Sequence, residues 1–218
     1  MRPRGRPDRT MPGPHRSRLP VLKPSTRSAS SAWRSATGSG KVRGEWTLTA
    51  AIERIETVPR DTPRLVVLAS AAKGERLERM VDQLGQLGAA AYAPLHTTLT
   101  VVEPRQGKLD RLERIAVETA KQCGRAWVME IGEPVTLTAS LDGARTRHAA
   151  IVIADGAGDA YAATGAAEVM LLVGPEAGFT PDEIAQAERA GAVRARLGPH
   201  KQRIGTAAAA GGAGIKES

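Results

Sequence analysis

The residues best suited to chemistry lie in a short loop that contains two glycines, Gly174 and Gly178. The apolar run that ends at Val173 is typical of a buried strand, and a helix signal follows at once, because Thr180 and Glu183 have the spacing of a capping box. Glycine permits positive φ and lets the backbone approach a ligand closely. A tight strand-to-helix turn that binds nothing explains these residues equally well. The loop alone therefore leaves both interpretations open.

A second glycine loop favours a ligand pocket. Leu197-Gly198-Pro199 also follows a run that is typical of a buried strand. The carboxyl ends of parallel strands meet at one edge of a sheet, where ligands bind. Both loops can therefore face the same crevice.

Metal and membrane chemistry are not expected from this composition. The chain of 218 residues has one cysteine, which excludes a disulfide framework and multi-cysteine metal sites. Its four histidines lack metal-ligand spacing. No apolar run approaches the roughly 18 residues of a membrane span. We expect a cytoplasmic protein that binds neither a metal nor a membrane.

Charge is distributed unevenly along the chain. The net charge is +8, but residues 1–44 contain 11 basic residues and one acidic residue. The remainder, 45–218, therefore has a net charge of −2. The excess of positive charge belongs to an N-terminal arm and not to a basic body. This arm is rich in Arg, Pro, Ser and Gly without apolar periodicity, so 1–44 is predicted to be disordered.

Strand and helix signals alternate after the arm, which predicts an α/β fold with a parallel sheet. Strands are predicted at 46–55, 64–70, 90–94, 97–102, 149–154, 169–173 and 193–197. Helices are predicted at 75–87, 109–123, 181–190 and 206–215. We expect functional residues in the loops 70–75, 155–160, 174–180 and 198–206, because these follow predicted strands or precede helices at the ligand-binding edge.

Four motifs carry a family resemblance. Residues Val173 to Glu183 read VGPEAGFTPDE, and Leu197 to Ala207 read LGPHKQRIGTA. These stretches resemble the patterns Val-Gly-Pro-Glu-Gly-Gly-Phe-(Ser/Thr)-Pro-Glu-Glu and Leu-Gly-x-Arg-Ile-Leu-Arg-x-Glu-Thr-Ala of the ribosomal RNA small subunit methyltransferase E family. The stretches Lys73-Gly74-Glu75-Arg76 and Gln122-Cys123-Gly124-Arg125 are similar to two further motifs of that family. The resemblance covers about 46–210.

The resemblance implies a fold, an activity and an assembly. The fold would be a SPOUT-type parallel sheet with a C-terminal trefoil knot over 64–218, preceded at 45–63 by a truncated or degenerate PUA-like β segment. The activity would be methyl transfer from S-adenosylmethionine to N3 of a uridine in the 16S ribosomal RNA of the small subunit. The active form would be a homodimer.

The resemblance also implies site residues. Contacts to the cofactor would come from Leu172, Val173, Gly174, Pro175, Glu176, Gly178, Leu197, Gly198 and Thr206. Contacts to RNA would come from Lys73, Arg76, Gln122 and Arg125. Uracil N3 carries a proton at neutral pH, so its methylation needs a base or a group that stabilises the developing anion. Arg203 is the candidate for stabilising the anion or anchoring a phosphate. Glu176 is the candidate base, although a Glu beside a helix N-terminus can simply interact with the helix dipole.

Departures from the family pattern keep alternatives open. Lys201 and Gln202 stand where the family has Ile and Leu, and Gly205 stands where it has Glu. A degenerate SPOUT protein that binds RNA or only dimerises is therefore the alternative function. A nicotinamide-binding domain is less favoured, because Gly156-Ala157-Gly158 would need glycine at Tyr161. Most of a PUA-like barrel is missing, which indicates either loss of that module or a different start or reading frame for 1–44.

Overall fold

The computed structural model describes residues 32–34, 39–41, 47–49, 54–198, 200 and 202–216. Within the predicted arm it has two strands, β1 (Ala32–Arg34) and β2 (Ser39–Lys41). In place of one strand at 46–55 it has β3 (Thr47–Thr49) and β4 (Arg54–Glu56). β1 pairs with β4 and β2 with β3, both antiparallel. The rest of the arm, Trp46 and Lys201 lie outside the described residues.

A parallel sheet covered by helices forms the rest of the described chain. Its elements are β5 (Arg64–Ala69), α1 (Glu75–Gln86), β6 (Ala91–His96), α2 (Gln106–Gln122), β7 (Glu130–Ile131), β8 (Val135–Thr136), α3 (Leu137–Arg147), β9 (Ala150–Ala160), β10 (Glu168–Val173), α4 (Pro181–Arg189), β11 (Val193–Arg196) and α5 (Ile204–Lys216). The strand order is β11-β9-β10-β5-β6-β7, and β8 also pairs with β6. Every pairing among these strands is parallel. The predicted α/β class with a parallel sheet is confirmed.

Both faces of the central strands are buried, as their continuous apolar runs predict. In β5, Leu65 and Val67 pack into one apolar cluster with α1, α2 and α5. Val66 and Leu68 point the other way, into a cluster with α3 and α4. This alternation follows from the two-residue period of a strand. The sheet therefore has a helical layer on each face, and its strand ends are left for the loops.

Besides the single strand predicted at 46–55, one further strand prediction is wrong, and one helix was not predicted. The stretch 97–102 is not a strand, because Thr97 and Thr100 bond to each other. The Thr97 N–H donates to Thr100 Oγ1 at 2.8 Å, and the Thr100 N–H donates to the Thr97 carbonyl at 3.1 Å. Helix α3 was not predicted, since its apolar pattern is short. Its start is marked by Thr136, whose hydroxyl accepts from the Ala139 N–H at 3.3 Å.

The C-terminal helix α5 packs tightly inside its own domain. Ala208 and Ile215 are buried against α1 and the sheet. A Cβ atom at Gly211 would come within 2.8 Å of both the Leu171 and the Leu197 side chains. Glycine at this position is therefore required by the close approach of the helix to the sheet.

Two glycines of α5 should respond in opposite ways to alanine. Gly211→Ala should lower the free energy of unfolding by about 1 to 3 kcal/mol, because the added methyl overpacks the contact with Leu171 and Leu197. Gly214→Ala is the control on the same helix, where a Cβ would meet no atom within 4 Å. It should raise the free energy of unfolding by up to about 1 kcal/mol through helix propensity. Denaturant unfolding measures both, and stabilisation by both variants would contradict this packing.

Candidate functional site

A cavity of about 440 Å³ lies at the carboxyl ends of β10 and β11 and beside the middle of β9. Its volume is in the range of small-molecule sites, and its place is the ligand-binding edge of a parallel sheet. The predicted site residues that line it are Val173, Gly174, Pro175, Glu176, Gly178, Leu197 and Gly198. The structure thus brings the two glycine loops together around one cavity, which we call the main cavity.

Glycine is required for different structural reasons at the two positions of the first loop. Gly178 has a φ of +85°, which L side chains rarely adopt, and no atom lies within 4 Å of its missing Cβ. Its N–H donates to the Pro175 carbonyl at 2.8 Å and closes the turn. At Gly174 a Cβ would come within 3.0 Å of the Phe179 ring. Gly178 is therefore required by the backbone conformation, and Gly174 by packing.

The buried carboxylate of Glu183 fixes the end of this loop. Its Oε2 accepts from the Thr180 N–H at 2.9 Å, and the Thr180 hydroxyl accepts from the Glu183 N–H at 3.3 Å, which confirms the predicted capping box. Its Oε1 accepts from the N–H and the hydroxyl of Thr98 at 2.7 and 3.1 Å. Burial raises the pKa of Glu183, but these hydrogen bonds outweigh it and the pKa is lowered. The ionised carboxylate joins the turn after β6 to the start of α4.

β9 and β11 provide a polar side of the main cavity. The stretch 155–160, where functional residues were predicted in a loop, is instead part of strand β9, and Asp155 was not singled out within it. Asp155 lines the cavity, and its carboxylate accepts from Arg194 Nε at 2.9 Å and from the Ala157 N–H at 3.2 Å. Gly158 is the residue in the sequence that marks the close approach of β9 to β11. A Cβ at this position would come within 2.7 Å of the Arg194 backbone. The two strands can approach this closely only with glycine at that position.

A smaller cavity of about 200 Å³ adjoins the main cavity, and we call it the arginine cavity. Glu176 and Ile204 line both cavities. The arginine cavity is also lined by Arg76, Arg79 and Arg203. Arg79 also lies 3.8 Å from the Glu75 carboxylate. Three arginines and one glutamate in the lining still leave an excess of positive charge, which favours an anionic ligand, and guanidinium matches phosphate geometry well.

Two residues predicted to contact a cofactor do not line the main cavity. The Leu172 side chain is buried on the face of the sheet that packs against α3 and α4. Thr206 is exposed and lines the arginine cavity instead.

The four predicted RNA-binding residues do not form one patch. Arg76 lies beside Arg203 in the arginine cavity. Arg125 is held near the far end of α1, where its Nη1 donates to the Gly85 carbonyl at 2.7 Å. Lys73 and Gln122 are exposed, and they lie just before α1 and at the end of α2.

Within the described part of the chain, no group of three or more His, Cys, Asp or Glu could hold a metal ion. No helix described by the structure is long and apolar enough to cross a membrane.

Comparison with known proteins identifies the family. The model of the RNA methyltransferase domain matches residues 60–215. The chain belongs to this family. It is 33% identical over 163 residues to ribosomal RNA small subunit methyltransferase E of Synechocystis, across 70% of this chain and 54% of that protein. It is 30% identical over 177 residues to the protein of the same name from Mycobacterium bovis, across 76% of this chain and 68% of that protein.

The resemblance carried by the loop motifs is thereby confirmed. The match spans about half the length of the Synechocystis relative and two thirds of the Mycobacterium relative. A solved structure shows the same fold: a methyltransferase from Legionella pneumophila, in complex with the bound cofactor SAM, has a TM-score of 0.68 at 27% identity. That similarity covers 80% of this chain and 74% of the Legionella chain.

Removal of the Glu183 charge should destabilise this RNA methyltransferase domain in a pH-dependent way. We expect Glu183→Gln to lower the free energy of unfolding at pH 7 by about 1 to 3 kcal/mol, because bonds to a charged acceptor are lost. The folded-state pKa of Glu183 is lowered. Its contribution is therefore fully present above the unfolded pKa of about 4.3 and is lost as pH falls through the folded pKa.

Denaturant unfolding at several pH values measures this effect. The matched control is Glu188→Gln on the same helix, where the carboxylate is 46% exposed and lies 3.6 Å from Arg194. This variant should change stability by less than about 0.5 kcal/mol. A gap between wild type and Glu183→Gln that stays constant from pH 7 to pH 3 would contradict the role of the ionised carboxylate.

Proposed function

We propose that this chain transfers a methyl group from S-adenosylmethionine to N3 of a uridine in the 16S ribosomal RNA of the small subunit. The observation that carries the proposal is the pair of adjoining cavities, which share Glu176 and Ile204. One cavity suits a small-molecule cofactor and the other suits an RNA phosphate. Family membership, the names of the two relatives and the SAM-bound Legionella structure support it.

The residues of the main cavity fit such a cofactor. Open space lies beside the missing Cβ of Gly178, and the cavity is lined by backbone of both glycine loops. Apolar surface from Val173 and Leu197 can cover the uncharged parts of the molecule. We propose that the loop residues lining the main cavity hold the cofactor. Leu172 would pack beneath these loop residues on the opposite face of the sheet, and Thr206 would contact the part of the cofactor that lies nearest the RNA.

S-adenosylmethionine supplies an electrophilic methyl group on its sulfonium. The chain would have to align uracil N3 with this methyl group and to accept the N3 proton, so that an N–C bond replaces the S–C bond and S-adenosylhomocysteine is left as the neutral thioether. Glu176, on the boundary of the two cavities, is the proposed acceptor of the proton. Arg203 would stabilise the negative charge that develops on the uracil, or anchor the adjacent phosphate.

RNA contacts would begin at the arginine cavity. Arg76 lines this cavity, and Lys73 lies three residues earlier in the loop before α1. Gln122 and Arg125 would contact RNA farther from the reacting base, and Arg125 would have to leave the Gly85 carbonyl to do so. The basic arm at 1–44 would add attraction to phosphate that does not depend on sequence.

We infer in addition the finer architecture of the family. The C-terminal part would form the trefoil knot of the SPOUT fold, which is supported by the packing of α5 against α1, β5 and β10. The SPOUT domain would cover 64–218, and 45–63 would be the end of a PUA-like β domain. Its compartment would be the cytoplasm, where its ribosomal substrate is assembled.

Methyl transfer can be tested directly. Calorimetry with S-adenosylmethionine should show micromolar binding, and incubation with small ribosomal subunits should produce N3-methyluridine, detected by mass spectrometry of nucleosides. RNA binding without any cofactor binding would reject the proposal in favour of a degenerate SPOUT protein. Methylation at a position other than uridine N3 would reject the proposed reaction.

Two variants separate cofactor binding from transfer in the same assays. Gly178→Val should abolish cofactor binding, because a β-branched side chain resists positive φ and fills open space in the main cavity. The control is Gly191→Val at the end of α4, where φ is +89° and the surrounding space is equally open. Arg203→Ala should retain cofactor affinity and slow transfer by roughly 100-fold or more. Full activity of Arg203→Ala would reject the role of Arg203.

We further propose that the active form is a two-fold homodimer, the commonest oligomer in general. Ala209 and Ala210 of α5 are half-buried within the single chain, and a partner subunit could cover the rest of their surface. Ala209→Glu or Ala210→Glu, whichever faces the partner, should yield monomers and weaken cofactor binding together, because an unpaired charge would be buried. Sedimentation velocity alongside cofactor titration measures both. A wild-type monomer that binds cofactor would refute the dimer.

A further inference from the structure

One buried polar side-chain atom has no hydrogen-bond partner in the described part of the chain, and it is the amide oxygen of Gln202. Gln202 belongs to the second glycine loop and lines the main cavity. Its amide nitrogen donates to the Leu197 carbonyl at 3.4 Å. The reverse orientation of the amide would place two acceptors against each other, so the oxygen is the atom left without a donor.

The amide of Gln202 lies against Gly198 of the same loop, where an added Cβ atom would collide with the amide nitrogen. Glycine at 198 is also part of the resembled family pattern, so in this contact only residue 202 departs from that pattern. The resembled family pattern has an apolar Leu at position 202, which could neither bond to the Leu197 carbonyl nor offer an acceptor. A buried acceptor without a donor destabilises a protein, and such groups often have a functional reason. The donor that is missing here can be supplied by a ligand.

We propose that Gln202 is a specificity-determining residue for the cofactor, and that its amide oxygen accepts a hydrogen bond from the nucleoside part. This inference rests on the proposed function. The donors of S-adenosylmethionine are an adenine amino group, ribose hydroxyls and a charged ammonium. A carboxylate matches the ammonium better, and Asp155 provides one on the same cavity. The neutral amide of Gln202 matches a neutral donor of the adenine or the ribose.

Analogues of S-adenosylhomocysteine can identify the donor. Three are needed: one without the adenine amino group, one without the ribose 2′-hydroxyl and one without the 3′-hydroxyl. Wild type should bind the parent compound more tightly than at least one analogue. Gln202→Met keeps the length of the side chain and removes its acceptor, so it should reduce that preference by roughly 3- to 10-fold, the value of one hydrogen bond.

The matched control is Gln106→Met at the exposed start of α2, which should keep the preference of wild type. Gln202→Leu, with the residue of the family pattern, gives the same comparison if the Met variant does not fold. Calorimetry supplies the affinities, and thermal unfolding reports folding of each variant. Equal preferences in wild type and in the folded Gln202 variant for all three analogues would overturn this inference alone. Absence of cofactor binding by wild type would overturn the proposed function and this inference with it.

Discussion

The position of the first glycine loop, and with it one wall of the main cavity, depends on one buried carboxylate, that of Glu183. It accepts four hydrogen bonds, two from Thr98 and two from Thr180. These bonds keep the group ionised in a site where an unpaired charge would be strongly unfavourable. The same carboxylate sets the first residue of α4 and ties it to the turn after β6. The first glycine loop is thereby held between a buried strand and a fixed helix start.

Close backbone approach is the second constraint, and it links the core to the site. Leu197 lines the main cavity and also meets the helix α5 where Gly211 has no side chain. A larger residue at 211 would push on Leu197 and on Leu171 of β10, and so on both strands that lead into the glycine loops. The packing of α5 therefore determines the shape of the cavity at a distance. Glycine lowers the helix propensity of α5, but at position 211 it allows the helix to lie close to Leu171 and Leu197.

Local patterns in the sequence predicted those parts of the fold that depend on local interactions. The continuous apolar runs of β5 and β10 and the Thr180 capping box are examples. Thr98 could not be predicted as a partner of Glu183, because 85 residues separate them. The motif around Arg125 indicated an RNA contact, whereas the fold gives its guanidinium a carbonyl partner. Arg79 was missed, although its i,i+3 spacing from Arg76 on α1 places both on one helix face.

The departure at Gly205 bears on the proposed chemistry of this chain. The family pattern has Glu there, and a Cβ at this position would meet Met80 at an ordinary distance of 3.6 Å, so the absence of a side chain is not a steric requirement. Among the described residues that line the arginine cavity, Glu176 is the only carboxylate beside three arginines. The cavity is therefore more positive than the pattern implies, which favours phosphate. Under the proposed function, proton transfer from uracil N3 then falls to Glu176, since no second acid shares this cavity's described lining.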